Sequence, residues 1–285
     1  MTALRELRSL GNSVVLRWTV AALGLVLVLS VTQELARPET TDLISSGTAE
    51  ATLRRAVPIL LAGLGGIWAE RAGVVNIGLE GMMILGAWFG AWGALEFGPW
   101  WGIVIGIAGG AAGGLLHAVA TVGFGVDHII SGVAINILAP ALARFLSREV
   151  FAQRPGGGIT QSPRVDSVGD VDVVFLSGGD LFGWTTPDLF GWVDDRGWFL
   201  VSDLCAVLSG ITSDVSWATL LALALVPASV VILWRTSIGL RIRAAGEHPV
   251  AADSLGVNVY RMKYLAVVVS GGLAGFGGAF IAIEQ

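Results

Sequence analysis

The sequence predicts an all-α fold, a polytopic integral membrane helical bundle. Three observations carry this prediction. Of 285 residues, 54% are hydrophobic and only 14% charged, against about 25% charged in an ordinary soluble domain. The mean hydropathy is +0.75, and the apolar residues fall in long runs. Glycine is abundant, with 40 residues, as expected where helices pack closely in lipid.

Taken in order, the N-terminus carries Arg5, Arg8 and Arg17 before an apolar run from Trp18 to Val31. No convincing Ala-x-Ala cleavage site follows, so this reads as an uncleaved first span rather than a signal peptide. Further apolar segments are Ala56–Trp68, Gly81–Phe97, Trp100–Val126, Ile129–Leu146, Trp217–Trp234 and Tyr264–Ile283. With the first run they make about seven spans, each needing about 20 residues to cross the hydrocarbon core. Ala56–Trp68 is too short alone. Either it extends back through Arg54-Arg55, or Ala69–Glu80 lies at membrane depth as broken or re-entrant backbone, which is tolerated only under cover of protein or a water-filled cavity. The chain stops at Gln285, directly behind the seventh span, and is expected to be truncated at its C-terminus.

Charge sets the expected orientation. The segment 235–263 holds Arg235, Arg241, Arg243, Arg261 and Lys263 against Glu247 and Asp253, whereas 147–215 holds four basic residues against ten acidic ones. The positive-inside rule places the basic segment and the N-terminus in the cytoplasm, leaving 147–215 as a long acidic external loop. That loop is rich in Gly, Pro, Asp and Trp and reads as turns with short amphipathic helices, Leu200–Leu208 among them at the membrane surface. The whole chain is then one transmembrane domain.

Several chemistries are missing from the sequence. The only lysine, Lys263, is followed by Tyr264, so there is no Gly-Lys-Ser/Thr phosphate loop, and neither His-Glu-x-x-His nor Gly-x-Ser-x-Gly occurs. The single cysteine, Cys205, forms no internal disulfide, and no Cys/His cluster predicts a metal. Neither an enzyme, a cofactor nor a nucleic-acid partner is expected.

The candidate pathway residues lie in and near Ala69–Met83, AERAGVVNIGLEGMM. Charge this close to a span is costly and marks a ligand or ion path by default. Asn76 and Glu80 are four residues apart and would share one face of a helix. A carboxamide and a carboxylate on a cavity suit a polar, hydrogen-bonding solute such as a sugar or nucleoside. The competing reading makes Glu80 a helix cap or a salt-bridge partner of Arg71. Asn136, in Ser131–Asn136, either contacts solute or makes an interhelical hydrogen bond, worth about 1 kcal/mol. Gly102, Gly106, Gly110 and Gly114, with Gly86–Gly90 and Gly271–Gly275, read as close-packing faces. His117 reads as a packed or cavity histidine, and Asp127-His128 as the cytoplasmic start of a span.

Within Ser237–Tyr260, Arg241–Ala245 is helix-compatible, Gly246-Glu247-His248-Pro249 breaks it, Val250–Leu255 is a short helix candidate, and Gly256-Val257-Asn258 ends it. A short helix between two tight turns beneath the membrane is suited to docking a soluble partner. The plainer alternative is a solvated connecting loop.

The segments Gly73–Met83, Ile130–Ala139, Gly239–Val259 and Ser270–Phe280 together resemble bacterial ABC-importer permeases of the nucleoside/simple-sugar branch, in the family that also holds ribose and branched-chain amino acid permeases. The resemblance covers most of Ala56–Gln285. It implies the permease subunit of an ATP-driven importer in the bacterial inner membrane, forming the pathway for a nucleoside or related simple sugar. The implied partners are a cytoplasmic ABC ATPase, a second permease subunit (the same or a different chain) and an external substrate-binding protein. The ATPase would dock on Gly246, Glu247, His248, Pro249, Leu255 and Gly256. Two features depart from the pattern: the long aspartate-rich outer loop, and the lack of further spans after Phe280. The alternatives are a permease for another solute, such as branched-chain amino acids, and a secondary transporter independent of ATP.

Overall fold

The structure, a computed structural model, describes residues 45–171 and 201–285, and parts of the stretches 17–31 and 180–194. The expected first span, Trp18–Val31, is thus described only in part, and its described residues are helical. Helix α1 runs Ser46–Arg71. The expected short span thus does extend back through Arg54-Arg55. Arginine is a good helix former, so the charges do not interrupt the helix. Pro58, inside α1, has no N–H to give the carbonyl four residues before it. That carbonyl, of Arg54, instead accepts from Gln285 Nε2 at 2.7 Å.

Residues 72–78 are not helical, so the backbone does break within Ala69–Glu80, over a shorter stretch than expected. Ala72, Val74, Asn76 and Gly78 within it are buried. Helix α2 follows at Leu79–Phe97. A turn at Gly98, with φ of +93°, leads into α3, Pro99–Ala118, which continues as one π-helical turn, Val119–Gly123. Helix α4, His128–Val150, is capped by Asp127, whose carboxylate accepts from the Ile129 and Ile130 N–H groups. After the acidic segment come α5, Leu189–Asp194, and α6, Val201–Thr212. Then follow α7, Trp217–Arg235, α8, Ser237–Glu247, α9, Pro249–Ser254, and α10, Val259–Glu284. Strand is confined, among the described residues, to two-residue pairs.

Among the described residues, four helical segments are long and apolar enough to cross a membrane: Pro99–Gly123, His128–Val150, Trp217–Arg235 and Val259–Glu284. Helices α1 and α2 coincide with two more of the expected spans.

The chain divides into two compact units. One comprises 1–53 and 170–215. Within it, Gly210 of α6 lies against the Ser46 carbonyl and the Ala49 methyl group. The other, 54–169 and 216–285, holds the remaining helices.

In this second unit α10 is the central helix. It is 72% buried over its apolar window, against 17% for α4, whose Ile130, Ile137, Leu138 and Phe145 project outward. Helices α2, α3 and α10 meet through glycine. A methyl group on Gly106 would lie 2.8 Å from the Gly86 carbonyl oxygen, and one on Gly114 would lie 2.7 Å from that of Val267. These close approaches are the packing faces expected from the four-residue glycine spacing. The start of the acidic segment is pinned to the bundle. Arg154 pairs with Glu96, and the Val168 N–H donates to Glu284 at 3.2 Å.

Candidate functional site

The segment 72–78 is held by side chains from three helices. Val75 is gripped on both backbone groups. Its carbonyl meets His117 Nε2 of α3 at 3.2 Å, and its N–H donates to His128 Nδ1 of α4 at 3.3 Å. A carbonyl only accepts, so His117 carries its proton on Nε2, and in the neutral ring Nδ1 is left to accept from the Ser131 hydroxyl at 2.9 Å. His117 is fully buried. Read from the sequence, His117 packs or lines a cavity and His128 marks an interface; that they share a target escapes such a reading. The available signal is that two of only three histidines fall where spans turn.

Asn76 is not on a helix with Glu80. It lies in the break, ahead of α2, and is 6% exposed. Its amide nitrogen donates to Ser270 Oγ of α10 at 2.9 Å and to Met82 Sδ at 3.4 Å, and its oxygen accepts the Gly78 N–H at 3.1 Å. The expected shared face therefore does not form. The last contact is a local side-chain-to-backbone turn, a conformation that competes with helix at asparagine. Ser270 is about 16 Å along α10 from Val259 at 1.5 Å per residue. The non-helical backbone thus reaches well into the bundle, where protein covers alternate residues of it.

Asn136, half-buried on α4, completes the head of α2. The first N–H groups of a helix have no intrahelical partner, and Gly78 at the cap has no side chain to supply one. Asn136 Oδ1 accepts the Gly81 N–H at 2.7 Å, while its Nδ2 donates to the Ile77 carbonyl at 3.0 Å. The close approach needs glycine on α2, since a methyl group on Gly81 would lie 2.7 Å from the Ile135 carbonyl oxygen. Glu80 is exposed in the first turn of α2, where a carboxylate is favoured by the helix dipole. It does not pair with Arg71, whose guanidinium instead lies over the Trp234 ring at 5.3 Å.

The segment after α7 forms the expected short helix between turns. Thr236 caps α8 by accepting the Gly239 N–H. The break falls at His248, with φ −141° and ψ 74°, and Pro249 opens α9 at a helix start, where its missing N–H costs nothing. Gly246, expected in the break, instead belongs to the last turn of α8. Gly256, with φ of +81°, reverses the chain, and Asn258 caps α10 by accepting the Arg261 N–H. Glu247, His248 and Pro249 are exposed. Val250 and Leu255 are each 84% exposed, two apolar side chains at opposite ends of one short helix. A cavity of about 400 Å³ lies behind this helix, lined by Val74, His128, Pro249, Asp253, Tyr260 and Lys263, among others.

The two regions touch through backbone. A methyl group on Gly246 would lie 2.8 Å from the Gly73 nitrogen and 2.9 Å from the Ala72 carbonyl carbon. The short-helix segment and the broken segment are therefore in direct main-chain contact.

A family model described as branched-chain amino acid transport system, permease component, matches residues 48–285. The chain belongs to this permease family. The guanosine ABC transporter permease NupQ of Bacillus subtilis is 37% identical over 242 residues, covering 81% of this chain and 66% of the relative. The nucleoside ABC transporter permease NupC of Lactococcus lactis is 36% identical over 232 residues, 79% of this chain and 63% of the relative. More distantly, the glucose ABC transporter permease TsgB13 of Haloferax volcanii is 26% identical over 233 residues, 79% of this chain and 54% of the relative. This permease thus spans just under two thirds of the length of NupQ and NupC. No solved structure matches it. Its multi-pass helical architecture is that of a membrane permease, and the family is one of permease subunits rather than catalytic ones.

Proposed function

We propose that this chain forms the pathway subunit of an ATP-driven ABC importer for nucleosides, in the bacterial inner membrane with its N-terminus in the cytoplasm. The observation that carries the reading is the exposed helix α9 joined through Gly246 to the broken segment at Gly73. Val250 and Leu255 offer a soluble ATPase two apolar anchors, and Glu247, His248, Pro249 and Gly256 shape the turns around them. A shift of α8 and α9 on ATP binding is passed by main-chain contact to 72–78, and by its hydrogen bonds to α2, α3, α4 and α10. A bistable change of this kind is the usual way in which a small displacement becomes a change of state.

In this scheme Glu80, exposed at the head of α2, faces solute. Asn76 and Asn136 line the same region and act mainly by holding the segment that presents Glu80, because their amides are already engaged. A second permease subunit completes the pathway, and an external binding protein delivers the solute to the acidic side. Nucleoside is favoured over sugar by the activities for which the relatives at 37% and 36% identity are named.

The test is uptake of labelled guanosine, adenosine and glucose by proteoliposomes holding the full-length permease with its ATPase and binding protein. ATP-dependent nucleoside uptake is expected. Uptake of glucose alone, or uptake without ATP, would contradict the reading.

A further inference from the structure

Helix α3 ends in the π-helical turn Val119–Gly123, and a short turn, 124–127, carries the chain into α4. Single π-helical turns fall frequently at functional sites. Phe124 is 79% exposed, and Val126 is exposed beside it. The turn is nonetheless tightly held. The Phe124 N–H donates to the Val119 carbonyl and the Val126 N–H to the Ala120 carbonyl, both at 3.0 Å. Thr121 Oγ1 donates to the His117 carbonyl at 2.7 Å. Gly125 reverses the chain at φ of +69°, and Asp127 caps α4. An aromatic ring presented by an ordered turn loses little freedom on binding.

This turn borders the same cavity of about 400 Å³ as α9: Thr121, Val122 and His128 line it from one element, and Pro249, Val250 and Asp253 from the other. Val250 and Leu255 are exposed on α9 as Phe124 is on the turn, so exposed apolar side chains stand on both sides of the opening. A contiguous apolar surface of this kind marks an interaction site. Hydrocarbon does not account for it. Asp127 is exposed at the end of the turn, and Asp253 and Lys263 border the cavity. The surface therefore lies at the level of charge and water, where carboxylates carry no membrane penalty.

Size argues that one partner covers both sides. A stable interface takes about 20–30 residues from each protein, and α9 has six. On the reading that an ATPase docks at α9, we propose that its docking surface continues across the cavity to Phe124 and Val126, and that the ATPase subunit covers both. The turn lies in the chain between His117 and His128, the two side chains that hold Val75. A push on Phe124 thus reaches the broken segment 72–78 by a second route, independent of the Gly246 contact.

The experiment measures binding of the purified ATPase to the full-length permease in lipid nanodiscs. Val250→Asp with Leu255→Asp is the reference for docking at α9. Phe97→Asp, at an exposed phenylalanine that ends α2, is the control. Phe124→Asp is expected to weaken binding at least about tenfold, as the loss of an interface anchor does, with an unchanged detergent melting temperature and no effect of Phe97→Asp. Unchanged affinity in Phe124→Asp, while the α9 variant binds weakly, would overturn the proposal and leave docking at α9 standing. If neither weakens binding, docking at α9 fails as well. A photoreactive probe on Phe124→Cys, with Cys205→Ser, identifies the occupant even where the aspartate variant does not assemble. Adducts with the ATPase are expected. Adducts with lipid alone, or with a second copy of the permease alone, would overturn the proposal.

Discussion

Gly246 lies so close to Gly73 that a methyl group placed on Gly73 would be 3.1 Å from the Gly246 Cα. Gly73 also has φ of +74°, a conformation that any residue with a Cβ resists. The contact is therefore glycine on glycine, and it joins the segment that we assign to ATPase docking to the segment that heads the pathway. Gly246→Val must push backbone, not a flexible side chain. It is expected to leave the permease in the membrane and bound to its ATPase while uptake falls at least about tenfold, equivalent to about 1.4 kcal/mol. Copurification of the ATPase, measured beside uptake, checks this. Unchanged uptake would show that the seam carries no coupling.

Val250→Asp together with Leu255→Asp should act one step earlier. Both side chains are exposed, so folding and thermal stability in detergent should be unchanged, as for most surface substitutions. ATPase copurification and ATP stimulation should be lost. Retention of both would indicate that α9 is only a connector.

Asn136→Ala leaves the Gly81 N–H and the Ile77 carbonyl without their partner. A buried group left unsatisfied costs about 1–3 kcal/mol, and interhelical bonds in membranes fall at or below the low end of that range. A measurable drop in detergent melting temperature is expected. Asn136→Asp should recover part of it, because a carboxylate still accepts from Gly81 but gives nothing to Ile77. Full stability in the alanine variant would remove Asn136 from the support of α2.

Glu80→Gln separates solute contact from support. Glu80 is exposed and makes no ion pair with Arg71, so stability should hold while transport weakens. Asn76→Ala should instead lose stability and transport together, through the Ser270 contact. The opposite pattern, with Asn76 dispensable for stability, would restore it as a direct solute contact.

The break at 72–78 and the short helix at Pro249–Ser254 are legible in the sequence because glycine, proline and charge interrupt otherwise apolar runs. The glycine faces of α2, α3 and α10 are legible from spacing. Two features are hidden for physical reasons. Whether Asn76 joins α2 depends on its side chain turning back to the Gly78 N–H and reaching Ser270, a partner 194 residues away. The grip on Val75 by His117 and His128 spans separations of 42 and 53 residues, and no local pattern encodes it. The extension of α1 to Ser46 is ambiguous in the sequence, because Arg54-Arg55 can be either a span boundary or ordinary helix. The Gln285 contact at the Arg54 carbonyl is what compensates the turn weakened by Pro58.

Helix α9, on the reading proposed above, is where an ATPase drives this permease. The most direct test is site-directed crosslinking from Leu255→Cys in the assembled complex, with the native Cys205 replaced by serine, with and without ATP. An ATPase–permease adduct is expected, with a yield that changes with nucleotide. A complex that is active but gives no adduct from Leu255→Cys or Val250→Cys would contradict docking at α9.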